Sequence, residues 1–169
     1  VDADAEKNYL IAAYLFDETE LKKYMRKNKE EQLVTGLLYL DNYEEALESV
    51  EEVRSSLLIA LIDRKINKYI SGMNGITKKL EKDKYFFAIK QRYVQELRDN
   101  RFSLLEEVKT VNIGNEMAVT LSIGLGMGGE TYGQNYEFSR MAIDMALGRG
   151  GDQAVIKSAE KIEYFGGKS

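Results

Sequence analysis

Residues 33–40 are apolar at every position apart from Thr35, a short run that suits a strand buried on both faces. Beyond Asn42 the apolar positions Leu47, Val50, Val53, Leu57/Leu58, Leu61/Ile62, Ile66 and Tyr69/Ile70 recur three and four apart, so a long amphipathic helix packs on that strand until Ser71-Gly72 stops it. Residues 76–79 and 85–89 then flank a charged four-residue turn, Glu81-Lys82-Asp83-Lys84, and read as a β-hairpin. Val94, Leu97, Leu104, Leu105 and Val108 give one helix over residues 91–108, and residues 119–125 give another buried strand ending on glycine. Residues 137–147 form a further helix closed by Gly148, and residues 154–156 and 161–165 make short terminal strands. At the other end, residues 9–16 read as a strand that hands over to a helix through Asp17 and Glu20, which have capping-box spacing. Residues 18–32 carry only the thin stripe Leu21, Tyr24 and Met25 and read as a solvated connector helix with a coiled-coil seam. The order after this connector predicts an α+β sandwich, a central mixed β-sheet covered by helices with a ferredoxin-like core order.

Composition narrows the chemistry. The 169 residues are 44% hydrophobic and 31% charged, enough for one well-buried domain. There is no Cys and no His, which excludes disulfides, thiolate nucleophiles, Ser-His triads and His-ligated zinc. Only carboxylates, Lys, Tyr and backbone remain for chemistry. The net charge of -4 argues against a grip on a nucleic acid polymer. No apolar run approaches the roughly 20 residues that span a bilayer, and the fragment is expected to be cytoplasmic or cytoplasm-facing.

Three places offer candidate chemistry. Asp41 and Asp83, on neighbouring strands, suit one Mg²⁺ ion; the alternative is that Asp41 caps the long helix and Asp83 is a solvated turn residue. Gly148-Arg149-Gly150-Gly151-Asp152 reads either as a helix stop or as a phosphate cradle completed by Arg149. Gly124-Leu125-Gly126-Met127-Gly128-Gly129 follows a strand but lacks the ending of a phosphate loop, and reads first as a flexible connection.

Three local patterns carry a family resemblance. Tyr39-Leu40-Asp41-Asn42-Tyr43-Glu44-Glu45-Ala46-Leu47-Glu48, Thr120-Leu121-Ser122-Ile123-Gly124 and Ile143-Asp144-Met145-Ala146-Leu147 together resemble the GGDEF domain of diguanylate cyclases over residues 33–157. The resemblance implies lost cyclase activity. The family's first metal-binding Asp falls on Tyr39, its guanine-reading Asn and Asp fall on Leu47 and Ser56, and its name-giving turn falls on Glu81-Lys82-Asp83-Lys84-Tyr85. Only Asp83 remains at an acidic metal position, and the phosphate-contacting Lys aligns with Gly151.

With Gly148 to Ala154 and the closing Tyr164-Phe165-Gly166-Gly167-Lys168-Ser169 added, the chain is similar to the degenerate GGDEF domain of bacterial cyclic-di-AMP phosphodiesterases of the GdpP/YybT type. This resemblance implies residues 1–17 as the last strand of a PAS domain and residues 158–169 as a linker toward a DHH/DHHA1 hydrolase absent here. It further implies a membrane-anchored, homodimeric parent and weak ATP hydrolysis at most. The candidate nucleotide-binding residues are then Asp41, Asn42, Lys82, Asp83, Lys84 and Arg149, with Mg²⁺ on Asp41 and Asp83 and with ATP as ligand, neither being needed for the fold. The alternative is an inert scaffold that dimerises and couples sensor to hydrolase.

Overall fold

The computed structural model describes residues 18–167, so the expected PAS-like strand of residues 1–17 lies outside the described residues. Two units divide between residues 32 and 33. The first contributes helix α1 (Glu18–Glu30), the connector read from its polar sequence.

The second unit is a six-stranded sheet with helices on both faces. Its elements run β1 (Leu33–Leu40), α2 (Tyr43–Glu48), α3 (Glu52–Ser71), β2 (Ile76–Glu81), β3 (Lys84–Lys90), α4 (Val94–Asp99), α5 (Leu104–Lys109), β4 (Leu121–Gly126), α6 (Tyr132–Gly148), β5 (Gln153–Lys157) and β6 (Ile162–Gly166). The strand order is β2-β3-β1-β4-β5-β6; β4 and β5 pair in parallel and all other neighbours antiparallel, giving the expected mixed sheet.

Side chains alternate across this sheet. Val34, Leu38 and Leu40 of β1, Tyr85, Phe87 and Ile89 of β3, and Leu121, Ile123 and Leu125 of β4 face the main core, closed by Leu58, Ile62, Ile66 and Ile70 of α3 and Leu97, Leu104 and Leu105 of α4 and α5. The opposite face carries α6. Here Gly124 and Gly126 are structural: a Cβ on Gly126 would lie 1.9 Å from the Asn135 carbonyl oxygen, and one on Gly124 would lie 2.4 Å from the Ile143 nitrogen. The space above them is filled by the chain's own helix, so the phosphate-loop reading of residues 124–129 falls away.

Three expectations need correction. The long helix after Asn42 breaks at residues 49–51, with Glu51 extended, which lets both Ala46 and Leu58 reach the core around the end of the sheet. The helix over residues 91–108 breaks at Arg101 and Phe102, both in left-handed conformation; Asn100 Oδ1 accepts from the Ser103 amide at 3.0 Å, and Phe102 swings inward onto Phe165 with ring centroids 5.2 Å apart. Helix α6 starts five residues earlier than expected, where the Thr131 hydroxyl accepts from the Gln134 amide at 3.0 Å. The terminal strand expected over residues 161–165 is β6, a full member of the sheet. Arg98 holds Glu163 through two hydrogen bonds of 3.1 and 2.9 Å, and Phe165 is buried in the main core.

Candidate functional site

The hairpin is tighter than its sequence suggested. Glu81 pairs with Lys84, leaving Lys82 and Asp83 alone in the turn, and a register shift between Lys79 and Glu81 marks a bulge just below it. The turn lies against the end of β1, where the Leu40 amide donates to the Asp83 carbonyl oxygen at 2.9 Å.

Around this tip the sequence has gathered cations over tyrosines. Lys84 Nζ stands 5.1 Å from the centre of the Tyr39 ring and 3.6 Å from Glu81, while Lys82 Nζ stands 5.8 Å from the Tyr43 ring and 3.9 Å from Glu44. Tyr39 is the residue that the sequence resemblance set against a metal-binding acid. Its hydroxyl holds its proton more tightly than usual because burial disfavours the anion, an effect that Lys84 partly offsets. Burial does the same to Tyr43, helped by the negative charges of Asp83 and Asp63. Tyr85 is shifted furthest upward, first by burial and then by its hydrogen bond to Asp63.

Asp41 and Asn42 are used differently. The Asp41 carboxylate accepts from the Thr120 hydroxyl at 2.8 Å, the Ser122 hydroxyl at 2.5 Å and the Asp152 amide at 2.9 Å. Asn42 begins α2 without capping it; its side chain donates to the Ala118 carbonyl at 2.8 Å and accepts from the Thr120 amide at 3.0 Å. Both residues therefore tie the end of β1 to the start of β4.

The loop after α6 completes this arrangement. Gly150, Gly151 and Asp152 all have positive φ and form the helix stop: the Gly150 amide donates to the Leu147 carbonyl oxygen at 3.0 Å, the Gly151 amide to that of Ala146 at 2.9 Å, and the Asp152 amide turns to Asp41. Asp41 packs directly against this stop: a Cβ on Gly151 would lie 2.8 Å from the Asp41 carboxyl carbon. Asp152 in turn takes Lys109 at 3.0 Å. Arg149 does not point into a cradle; its Nε donates to Gln153 Oε1 at 2.9 Å and its guanidinium stacks 4.2 Å above the Tyr164 ring.

The six candidate residues thus form two groups. Lys82, Asp83 and Lys84 share the hairpin tip on the β3 side of β1, whereas Asp41, Asn42 and Arg149 are engaged in internal contacts on the β4–β5 side. A metal centre held by Asp41 and Asp83 does not fit this donor set, because the Asp41 oxygens already serve three donors. Among the described residues, no three acidic side chains gather to hold a metal ion. Sequence reasoning missed Thr120, Ser122 and Asp152 as the partners of Asp41; the alternating hydroxyls of Thr120 and Ser122 before a buried strand were the available signal. It also missed Asp63, an acid beside the buried Ile62 in the middle of α3.

Comparison with known proteins now decides the family. Residues 38–164 match the family described as cyclic-di-AMP phosphodiesterase GdpP-like, GGDEF domain. The chain belongs to this family. The GdpP-like sequence is 30% identical to the cyclic-di-AMP phosphodiesterase GdpP of Geobacillus thermodenitrificans and 29% identical to the cyclic-di-AMP phosphodiesterase PdeA of Listeria monocytogenes, in each case over 92% of this chain and 24% of the relative. It spans about a quarter of the length of these curated relatives. Among solved structures, a diguanylate cyclase/phosphodiesterase from Caldicellulosiruptor saccharolyticus superposes with a TM-score of 0.64 at 18% identity, covering 86% of this chain and 90% of that one. The active GGEEF domain of a diguanylate cyclase from Vibrio cholerae gives 0.62 at 12% identity, covering 83% and 91%. These two similarities establish the GGDEF fold of the GdpP-like chain. No described helix is long and apolar enough to cross a membrane.

Proposed function

We propose that this domain regulates a cyclic-di-AMP phosphodiesterase by taking ATP, carried as its Mg²⁺ complex, at the hairpin tip, and that it does not cyclise GTP. The observation that supports ATP binding is the placement of Lys82 and Lys84 on either side of Asp83, beside Tyr39 and Tyr43. Their ion pairs with Glu44 and Glu81 are long and solvated, so exchanging them for phosphate oxygens costs little. Asp83 offers the nucleotide's Mg²⁺ one carboxylate, which suits an ion that keeps most of its waters and phosphate ligands. With Tyr39 in place of an acid and Asp41 engaged elsewhere, turnover is at most slow. In the parent protein this module would join a PAS sensor to a DHH/DHHA1 hydrolase in a membrane-anchored homodimer.

A second reading is the inert coupling scaffold, favoured by one observation: the amides of residues 150–152 are all taken within the chain, two by carbonyls of α6 and that of Asp152 by Asp41. Thermal melts with increasing Mg-ATP separate the two, because a ligand that binds the folded state alone raises Tm with its concentration. A rise supports the regulatory reading, and a flat response to millimolar Mg-ATP reduces the domain to a scaffold.

A further inference from the structure

Asp63 stands on α3 and reaches both strands of the hairpin with one carboxylate. Its Oδ1 accepts the Tyr85 hydroxyl from β3, and both oxygens take Lys79 Nζ from β2 at 3.2 Å. Lys79 and Tyr85 are cross-strand partners, and theirs is the last regular pair before the register shifts toward Glu81 and Lys84. The carboxylate therefore grips the hairpin immediately below its bulge. Packing alone gives no reason for an acid here, since the inward positions of α3 are Leu58, Ile62, Ile66 and Ile70. The buried Tyr85 hydroxyl does need an acceptor, and Asp63 supplies it.

We propose that Asp63 is the positioning residue of the hairpin tip: by holding the Lys79–Tyr85 pair against α3 it fixes where the bulge falls, and so where Lys82, Asp83 and Lys84 stand. A β-bulge re-aims the side chains beyond it, and a slip of one residue would turn the tip cations to the other face. Asp63 then controls nucleotide affinity without touching the nucleotide; that part of the inference rests on the ATP reading above.

The test is amide hydrogen exchange by NMR on the wild type, Asp63→Asn, Asp63→Ala and Tyr85→Phe, together with Mg-ATP titration of each. Leu40 is the reporter, because its amide donates to the Asp83 carbonyl at the tip. The expected result for Asp63→Ala is exchange at Leu40 faster by about tenfold or more, with β4 and β5 amides unchanged, as for local opening. Asp63→Asn keeps an acceptor for Tyr85 and is expected to fall between, and Tyr85→Phe guards against a variant that fails to fold. Mg-ATP affinity should fall in the same order. Uniform acceleration across the sheet, or an unchanged Leu40 amide, would overturn the proposal. A responsive Leu40 in a domain that binds no Mg-ATP supports the positioning role and ends the ATP reading, so the two are told apart.

Discussion

The Asp152 amide donates a hydrogen bond to Asp41 Oδ2 at 2.9 Å, closing the loop after α6 on a carboxylate of its own chain. An acid that a pattern search would assign to a metal is here an internal acceptor for two hydroxyls and one backbone amide. This contact joins the end of β1 to the start of β5, and with Thr120 and Ser122 it holds three strands together at one end of the sheet.

Replacing Asp41 by Ala should therefore destabilise the domain rather than alter ligand binding at the tip. Three donors lose a charged acceptor, and a loss of about 2–4 kcal/mol is expected in urea unfolding. Gly151→Ala should cost about 1–3 kcal/mol, since the left-handed backbone and the nearby carboxylate both oppose a Cβ. Mg²⁺ without nucleotide should leave Tm unchanged; a rise that disappears in Asp41→Asn would restore the metal assignment.

The assignment of β6 to the domain is tested by Arg98→Ala. The Arg98–Glu163 pair is forked and partly shielded from solvent, so its loss should cost about 1–2 kcal/mol and speed amide exchange along residues 162–166. Unaltered exchange there would mean that Phe165 and the pairing with β5 anchor the strand without Arg98.

Alkaline pH should unfold the protein, with the buried tyrosines leading. Tyr85 and Tyr69 hold their protons more tightly when folded than the ordinary value of 10.0, through burial first of all. Above about pH 10 the unfolded chain loses protons that the folded one keeps, so stability is full below that pH and falls as pH rises. Lys109 acts in the same direction: its partners Glu106 and Asp152 raise it above 10.5, and the benefit is lost as pH climbs through the raised value. Tyrosinate absorbance followed alongside circular dichroism should show a late ionisation step coincident with unfolding, and Tyr85→Phe should make stability fall less steeply with pH.

Incubation with GTP and Mg²⁺ should yield no cyclic-di-GMP. Detectable product would mean that Tyr39 and the two-residue turn do not disable the chemistry.

The sequence made the layers legible because short apolar runs mark residues 33–40, 85–89 and 119–125 and a period near 3.6 runs along α3. The breaks were hidden. Arg101 and Phe102 adopt left-handed backbone without being glycine or asparagine, and the one local signal for the end of α4 was Asp99-Asn100, where Asn100 takes the Ser103 amide. The tip lysines were visible because a hairpin turn is local in sequence. The role of Asp41 was not, since its partners Thr120, Ser122 and Asp152 lie 79, 81 and 111 residues away and only the folded sheet brings them together. Asp63 was hidden for the same reason, its hairpin partners lying 16 and 22 residues further on.

The most direct test is calorimetric titration of Mg-ATP into the wild-type domain and into the Lys82→Ala/Lys84→Ala double variant. Saturable binding in the wild type, weakened about tenfold or more when both tip cations are removed, is the expected result. Absence of binding by the wild type at millimolar Mg-ATP, or equal affinity in the two proteins, would contradict nucleotide recognition at the hairpin tip.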